Sequence, residues 1–205
     1  MKFFDLKTQL KDFIVFSIKD IEKIDSSFHK QRLSEWQKKG YIKKIRQGFY
    51  IFSDLRINEQ VLFLIANAIY QPSYISLEMA FSLYNLIPEA VYEITSVTSQ
   101  KTNIFKTNAG TFSYKHIKPE LMFGYELKEY SNHRYMVAEI EKALLDYLYL
   151  NSHIQNDKDF EALRFNIAEF NAHANKDKLK KYLEAFHSKA LSVRVHKFLA
   201  YSTHA

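Results

Sequence analysis

Cysteine is absent from this chain of 205 residues, which excludes disulfide bonds and thiolate metal ligands. Only four glycines and three prolines occur, so the chain has little of the composition of flexible linkers. Each glycine is isolated, and a glycine-rich phosphate-binding loop is therefore excluded. No hydrophobic run approaches the length of a membrane-spanning helix, and no apolar signal sequence follows Met1. We expect a cytoplasmic protein without a membrane-spanning segment.

Patterns typical of catalysis and metal binding are also scarce. The eight histidines are scattered, and no two have the i, i+4 spacing of helical metal ligands, so we expect no metal site, no cofactor and no enzymatic activity. One pattern leaves an alternative open. Glu126 and Lys128 have the Glu-x-Lys spacing of a metal-dependent nuclease, although a solvated strand edge has the same spacing. Glu139, Lys142 and Asp146 lie at i, i+3 and i+7 of a predicted helix, and we interpret them as a salt-bridged surface.

Positive charge is concentrated in the first quarter of the chain. Met1–Ser53 contains twelve Lys and Arg residues against six Asp and Glu residues, whereas the rest of the chain carries seventeen of each. The excess in this segment equals the formal net charge of the whole chain, +6. A basic segment beside a neutral one is typical of a nucleic-acid-binding module attached to a domain with another task. We therefore predict two domains, residues 1–53 and residues 54–205, with the boundary near Ser53–Asn58.

The first domain has the element order of a winged helix-turn-helix. Apolar spacing, a capping box at Ser17 and Asp20, and a helix stop at Gly40 define its elements. The predicted elements are a helix over Lys2–Phe13, a strand at Ile14–Phe16, helices over Ser17–Ile24 and Phe28–Lys39, and hairpin strands at Tyr41–Arg46 and Phe49–Phe52. A tight turn at Gln47-Gly48 joins the hairpin strands. Helix, strand, helix, helix and hairpin is the winged-helix order.

This order predicts which residues contact DNA. Leu33 and Trp36 face inward from the third predicted helix, so the opposite face presents side chains that hydrogen-bond base edges or phosphates. On this helix and at its start, the predicted DNA-binding residues are Ser27, Lys30, Gln31, Arg32, Ser34 and Lys38. On the hairpin they are Lys43, Lys44, Arg46 and Gln47, with the cations suited to the phosphate backbone. A winged helix can also bind protein, so an adaptor is a further alternative.

The second domain is predicted to be α+β. Helices are expected over 59–70, 76–84, 138–150, 158–170, 178–186 and 189–201. Strands are expected over 93–99, 103–106, 111–117, 123–127 and 134–137. Helices followed by strands and then by helices indicate a largely antiparallel sheet with C-terminal helices.

Three blocks of the sequence resemble one known family. Tyr74–Pro88 (YISLEMAFSLYNLIP), followed by Ile94–Thr98 (ITSVT), is similar to the central block of the AbiEi antitoxins of bacterial AbiE abortive-infection systems. Val137–Asp146 (VAEIEKALLD) resembles a second block, usually written Pro-Glu-Lys-Ala-Leu, with Ile140 where proline is common. Arg46–Tyr50 (RQGFY) is similar to the family's wing, Arg-x-Gly-x-Tyr. The likeness runs from about residue 17 to about residue 150.

The resemblance implies a transcriptional autorepressor that is also the antitoxin of a type IV toxin–antitoxin system with a role in phage defence. It implies binding to double-stranded DNA at inverted repeats in the chain's own promoter. It also implies opposition to a nucleotidyltransferase-type toxin without a stable complex between the two proteins. Composition and spacing by themselves indicate only a DNA-binding module on an α+β domain.

Overall fold

The computed structural model describes residues 1–203 and has a mixed α+β architecture. Residues 1–53, here called the N-terminal unit, contain short helices and a three-stranded antiparallel sheet in the order β1-β3-β2. Its elements are α1 (Phe3–Gln9), β1 (Phe16–Ser17), α2 (Ile18–Ile24), α3 (Gln31–Lys38), β2 (Ile42–Arg46) and β3 (Phe49–Phe52). The predicted helices and strands of this unit are present in the predicted order, but α1 and α3 are shorter than expected.

Capping interactions explain where α2 begins and α3 ends. Ser17 Oγ accepts a hydrogen bond from Asp20 N at 3.3 Å, and Asp20 Oδ2 accepts one from Ser17 N at 2.8 Å, which confirms the predicted capping box. Gly40 follows α3 with a φ of +72°, a left-handed conformation that glycine adopts without steric cost. Tyr41 N then donates to Trp36 O at 2.9 Å and closes the last helical turn.

An aromatic-rich core determines which face of α3 is exposed. Leu33 and Trp36 of α3 are buried against Phe28 and the sheet. The buried residues of this core are Leu6, Leu10, Phe16, Ile21, Phe28, Leu33, Trp36, Ile42, Tyr50 and Phe52. Because one face of α3 is used in this way, its opposite face is left to solvent.

Residues 54–203, here called the body, contain a six-stranded sheet in the order β6-β7-β5-β4-β9-β8. The strands are β4 (Ser73–Ile75), β5 (Glu93–Thr98), β6 (Asn103–Lys106), β7 (Thr111–His116), β8 (Tyr125–Tyr130) and β9 (His133–Ala138). The helices are α4 (Glu59–Ile69), α5 (Leu77–Leu83), α6 (Ile140–Leu150), α7 (Asp157–Ala162), α8 (Ile167–His173), α9 (Lys176–Ala185) and α10 (Lys189–Ser202), with a short 3-10 turn at Pro119–Leu121. No helix within residues 1–203 is long and apolar enough to cross a membrane.

The sheet is mixed, whereas the sequence predicted a largely antiparallel one. Three pairings are antiparallel (β6–β7, β5–β4 and β9–β8), but β7–β5 and β4–β9 are parallel. The strand β4 was not among the predicted strands, and its three residues are all buried between β5 and β9. A three-residue strand is too short to display an alternating pattern.

The single helix predicted over 158–170 is in fact two helices, α7 and α8. Arg164 has a φ of +49°, which interrupts the helix between them. Asn166 then caps α8 by accepting a hydrogen bond from Glu169 N at 3.1 Å. Asn166 N also donates to Leu86 O at 2.7 Å, so a contact with a distant segment fixes the break.

The N-terminal unit and the body share an apolar cluster. Ile45 and Ile51 of the hairpin are buried in the same cluster as Val61, Phe63 and Ile69 of α4. The hairpin therefore has one side in the core of its own unit and the other against the body.

Candidate nucleic-acid interface

The exposed face of α3 carries polar side chains at helical spacing. Gln31, Ser34 and Lys38 lie at i, i+3 and i+7 and are all exposed. Within residues 1–203, none of these three side chains has a hydrogen bond or an ion pair with another residue. The face thus presents an amide, a hydroxyl and an ammonium group that are available to an external ligand.

Glu35 lies on the same face but was not among the predicted DNA-binding residues. The residue is exposed and follows Gln31 by four positions, so the two side chains are neighbours on the helix surface. A carboxylate repels phosphate but accepts a hydrogen bond from the N4 amino group of cytosine. A surface with a carboxylate at this point is better suited to base edges than to phosphates.

Three other predicted residues at the start of α3 already have partners. Ser27 Oγ donates to Asp25 Oδ1 at 2.6 Å, and hydrogen bonds from Ser27 lower the pKa of the Asp25 carboxyl. Lys30 Nζ lies 3.1 Å from Glu22 Oε1 in an exposed ion pair. Arg32 donates to the backbone carbonyl of residue 1 and is half-buried. Ser27 and Arg32 therefore stabilise the segment around α3, whereas Lys30 keeps a solvent-exposed ammonium group.

The hairpin places two further cations next to α3. Lys43 and Lys44 are exposed on β2, which packs against α3 and forms an edge of the three-stranded sheet. Neither lysine has an acidic partner among the described residues. Gln47 is exposed at the turn that follows β2. This edge can neutralise phosphates that flank a groove occupied by α3.

Arg46 is not the exposed cation that the sequence predicted. The residue is half-buried, and its guanidinium group donates to the carbonyl of Ile69 in the body. The guanidinium carbon also lies 4.5 Å from the ring centroid of Phe105 and 5.1 Å from that of Tyr70. Such cation–π contacts contribute about 0.5–2 kcal/mol each. Arg46 thus connects the hairpin to the body, and its side chain is turned away from a ligand at β2.

A second polar cluster lies inside the body and shows that Lys142 and Asp146 do not belong to the predicted salt-bridged surface, whereas Glu139 forms a partly exposed ion pair. Lys142 and Asp146 of α6 form an ion pair in which both side chains have 0% exposure. Lys142 Nζ also donates to Tyr74 OH at 2.8 Å. Asp146 Oδ2 accepts hydrogen bonds from Tyr74 OH at 2.8 Å and from Ser76 Oγ at 3.0 Å. The cluster therefore ties α6 to β4 and to the start of α5.

Aromatic rings surround the buried ammonium group. Lys142 Nζ lies 4.9 Å from the ring centroid of Phe186, 5.2 Å from that of Phe123 and 5.3 Å from that of Tyr74. Burial lowers the pKa of Lys142 and raises the pKa of Asp146, and the attraction between the two groups opposes both shifts. This arrangement is suited to holding elements together, since both charged groups are sealed from solvent.

The residues proposed for a nuclease do not gather a metal-binding set. Glu126 and Lys128 form an ion pair of 3.2 Å on β8. The residues opposite them on β9 are Val137 and Tyr135, so the neighbouring strand supplies no acid there. Within the described part of the chain, no three His, Asp or Glu residues are arranged to hold a metal ion.

In comparisons with known proteins, neither a protein-family model nor a curated protein matches the chain. The resemblance to the AbiEi family accordingly stays a prediction from the quoted sequence blocks.

Proposed function

We propose that the chain binds double-stranded DNA through its N-terminal unit and represses transcription from its own promoter. The observation that carries this proposal is the unpartnered polar face of α3 beside the cationic edge strand β2. We interpret the N-terminal unit as a winged helix-turn-helix in which α3 enters the major groove. Lys43 and Lys44 then contact the phosphate backbone, while Gln31, Ser34 and Glu35 meet the base edges.

We further propose that the protein is the antitoxin of a type IV system and opposes a nucleotidyltransferase toxin without a stable complex. This part depends on the resemblance of Tyr74–Pro88 and Val137–Asp146 to AbiEi blocks. The two blocks meet in the body, because Tyr74 and Ser76 of the first donate hydrogen bonds to Asp146 of the second. That contact supports treating the two blocks as parts of one structural unit.

A gel-shift assay with the DNA upstream of the chain's own gene tests the DNA-binding proposal. We expect a shift, and we expect the logarithm of the association constant to fall linearly with the logarithm of the salt concentration. Lys43→Ala with Lys44→Ala should make this slope less steep by about 1 per lost phosphate contact. The matched control is Lys180→Ala with Lys181→Ala, which removes two exposed lysines from α9 in the body. Equal slopes for the two double variants would contradict the assignment of β2.

The same assay with magnesium separates the alternatives. A shift without cleavage supports a repressor. Metal-dependent cleavage of the DNA would contradict the repressor assignment and indicate a nuclease. The absence of any shift would favour a protein-binding adaptor.

A further inference from the structure

Strand β8 is an exposed edge of the six-stranded sheet. It lies last in the strand order and pairs only with β9 within residues 1–203. Two of its apolar side chains face solvent, with Leu127 60% exposed and Tyr125 39% exposed. An unpaired edge of this kind is a template for a further strand unless charges or a covering segment block it.

The hairpin geometry shows which backbone groups of β8 are free. Ser131 and Asn132 both have positive φ and form a two-residue turn, so the flanking pair Tyr130–His133 is hydrogen-bonded. Hydrogen-bonded pairs then alternate along the hairpin, and Glu139 N donates to Gly124 O at 2.9 Å in keeping with this alternation. The even-numbered residues of β8 therefore bond to β9.

The odd-numbered residues of β8 direct their backbone N–H and C=O groups away from β9. These residues are Tyr125, Leu127 and Glu129. None of their backbone groups has a hydrogen-bond partner elsewhere in the described part of the chain.

We propose that β8 pairs with β8 of a second copy of this chain, antiparallel and centred on Leu127. In this register Leu127 faces its own equivalent, and Tyr125 faces Glu129 of the other copy. All three outward residues of each copy are then used, which gives six backbone hydrogen bonds across the dyad. The two six-stranded sheets become one continuous sheet.

Charge selects this register over its neighbours. Centring on Leu127 places Glu126 of each copy opposite Lys128 of the other, so two attractive cross-strand pairs form. Centring on residue 126 would place two glutamates face to face, and centring on residue 128 would place two lysines face to face. On the opposite face of the continuous sheet, the two Leu127 side chains come into contact.

The pairing is expected to be weak, because a single pair of short strands buries far less than the roughly 1,000 Å² of a stable interface. Analytical ultracentrifugation over a range of concentrations should therefore show a reversible monomer–dimer equilibrium. Sedimentation as a monomer up to the highest soluble concentration would overturn the proposal. This test uses the full chain without DNA, so its outcome is independent of the proposed repressor function.

Charge variants test the register. Glu126→Lys and Lys128→Glu each replace two attractive pairs by two repulsive ones. The dimer dissociation constant of each variant should therefore be at least about tenfold higher than that of the original chain. An equimolar mixture of the two variants restores opposite charges across the dyad and should recover the dimer. Glu120→Lys, a control at an exposed position outside β8, should dimerise as the original chain does. Failure of the mixture to recover the dimer would overturn the register.

Disulfide capture gives an independent readout in a chain that has no cysteine of its own. Leu127→Cys places two thiols opposite each other, with Cα atoms about 5.5 Å apart as disulfide geometry requires. Glu129→Cys is a matched control, because it lies on the same strand face but about 13 Å from its own equivalent in this register. Mild oxidation should capture the Leu127→Cys dimer much faster than any Glu129→Cys dimer. Equal capture rates would contradict pairing centred on Leu127.

Discussion

At the scale of single residues, the buried pair Lys142–Asp146 shows how burial changes the meaning of a charge pattern. Its i, i+4 spacing is the same as that of exposed ion pairs, which contribute about 0.3–0.5 kcal/mol on helices. Here both charged groups are buried, so each is stabilised by the other and by hydrogen bonds to Tyr74 or Ser76 in place of water. The signal available in the sequence was the surrounding helix, since α6 is apolar on nearly all sides and such helices are buried.

Lys142→Met should lower the free energy of unfolding by about 3–5 kcal/mol, because Asp146 is left buried without its cation. In this variant burial raises the pKa of Asp146 without opposition from Lys142. The folded state then binds a proton that the unfolded state, with a pKa of about 3.9, has already lost. Stability should therefore fall as the pH rises above about 4 and be partly recovered in acid.

Urea denaturation at several pH values measures this effect. The control is Lys142→Met with Asp146→Asn, which keeps an acceptor for Tyr74 and Ser76 but cannot ionise. It should lack the additional pH dependence. If Lys142→Met alone were as stable as the original chain at neutral pH, this would contradict the stabilising role given to the ion pair.

At the scale of elements, local patterns predicted most of the helices and strands, and long-range contacts decided the rest. The helix α4 and the strands β5, β6 and β7 follow from apolar spacing and turn residues, which are properties of contiguous sequence. The strand β4 is specified by its neighbours β5 and β9, and the break between α7 and α8 by the bond from Asn166 to Leu86. Likewise, the spacing of apolar residues within one strand does not show whether that strand pairs with its neighbour in parallel or antiparallel. Gln31, Ser34 and Lys38 are exposed on α3 as predicted. Glu35 on the same face was not predicted, because an acidic residue is not expected on a surface chosen for its positive charge.

Gln31→Ala in α3 should weaken binding to the operator by about 1–3 kcal/mol and leave binding to random DNA almost unchanged. The side chain is exposed and uncharged, so under the proposed function we expect it to contribute mainly to discrimination between bases. Fluorescence anisotropy with both DNAs measures the two affinities. Gln9→Ala, at an exposed position of α1, serves as the control. Equal losses on both DNAs would mean that α3 does not lie in the groove as proposed.

At the scale of the whole molecule, the N-terminal unit and the body are linked through the hairpin. Arg46 donates to Ile69 and stacks near Phe105, while Ile45 and Ile51 are buried against α4. Removal of residues 1–53 would expose this apolar surface of the body. Point variants on exposed side chains therefore test the two proposed functions better than truncation does. Arg46 is unsuitable for this purpose, because its loss removes contacts between the hairpin and the body.

Lys43→Ala with Lys44→Ala should abolish repression while cells remain protected from the toxin. Both side chains are exposed and have no ion pair within residues 1–203, so their loss should change stability by no more than about 0.5 kcal/mol. Promoter-reporter output and survival after toxin induction are measured for the same variants at matched protein levels. Arg46→Ala should impair both readouts, because it disturbs the contact with the body as well as the hairpin. A folded Lys43→Ala, Lys44→Ala variant that loses protection together with repression would require a neutralisation mechanism that depends on DNA binding.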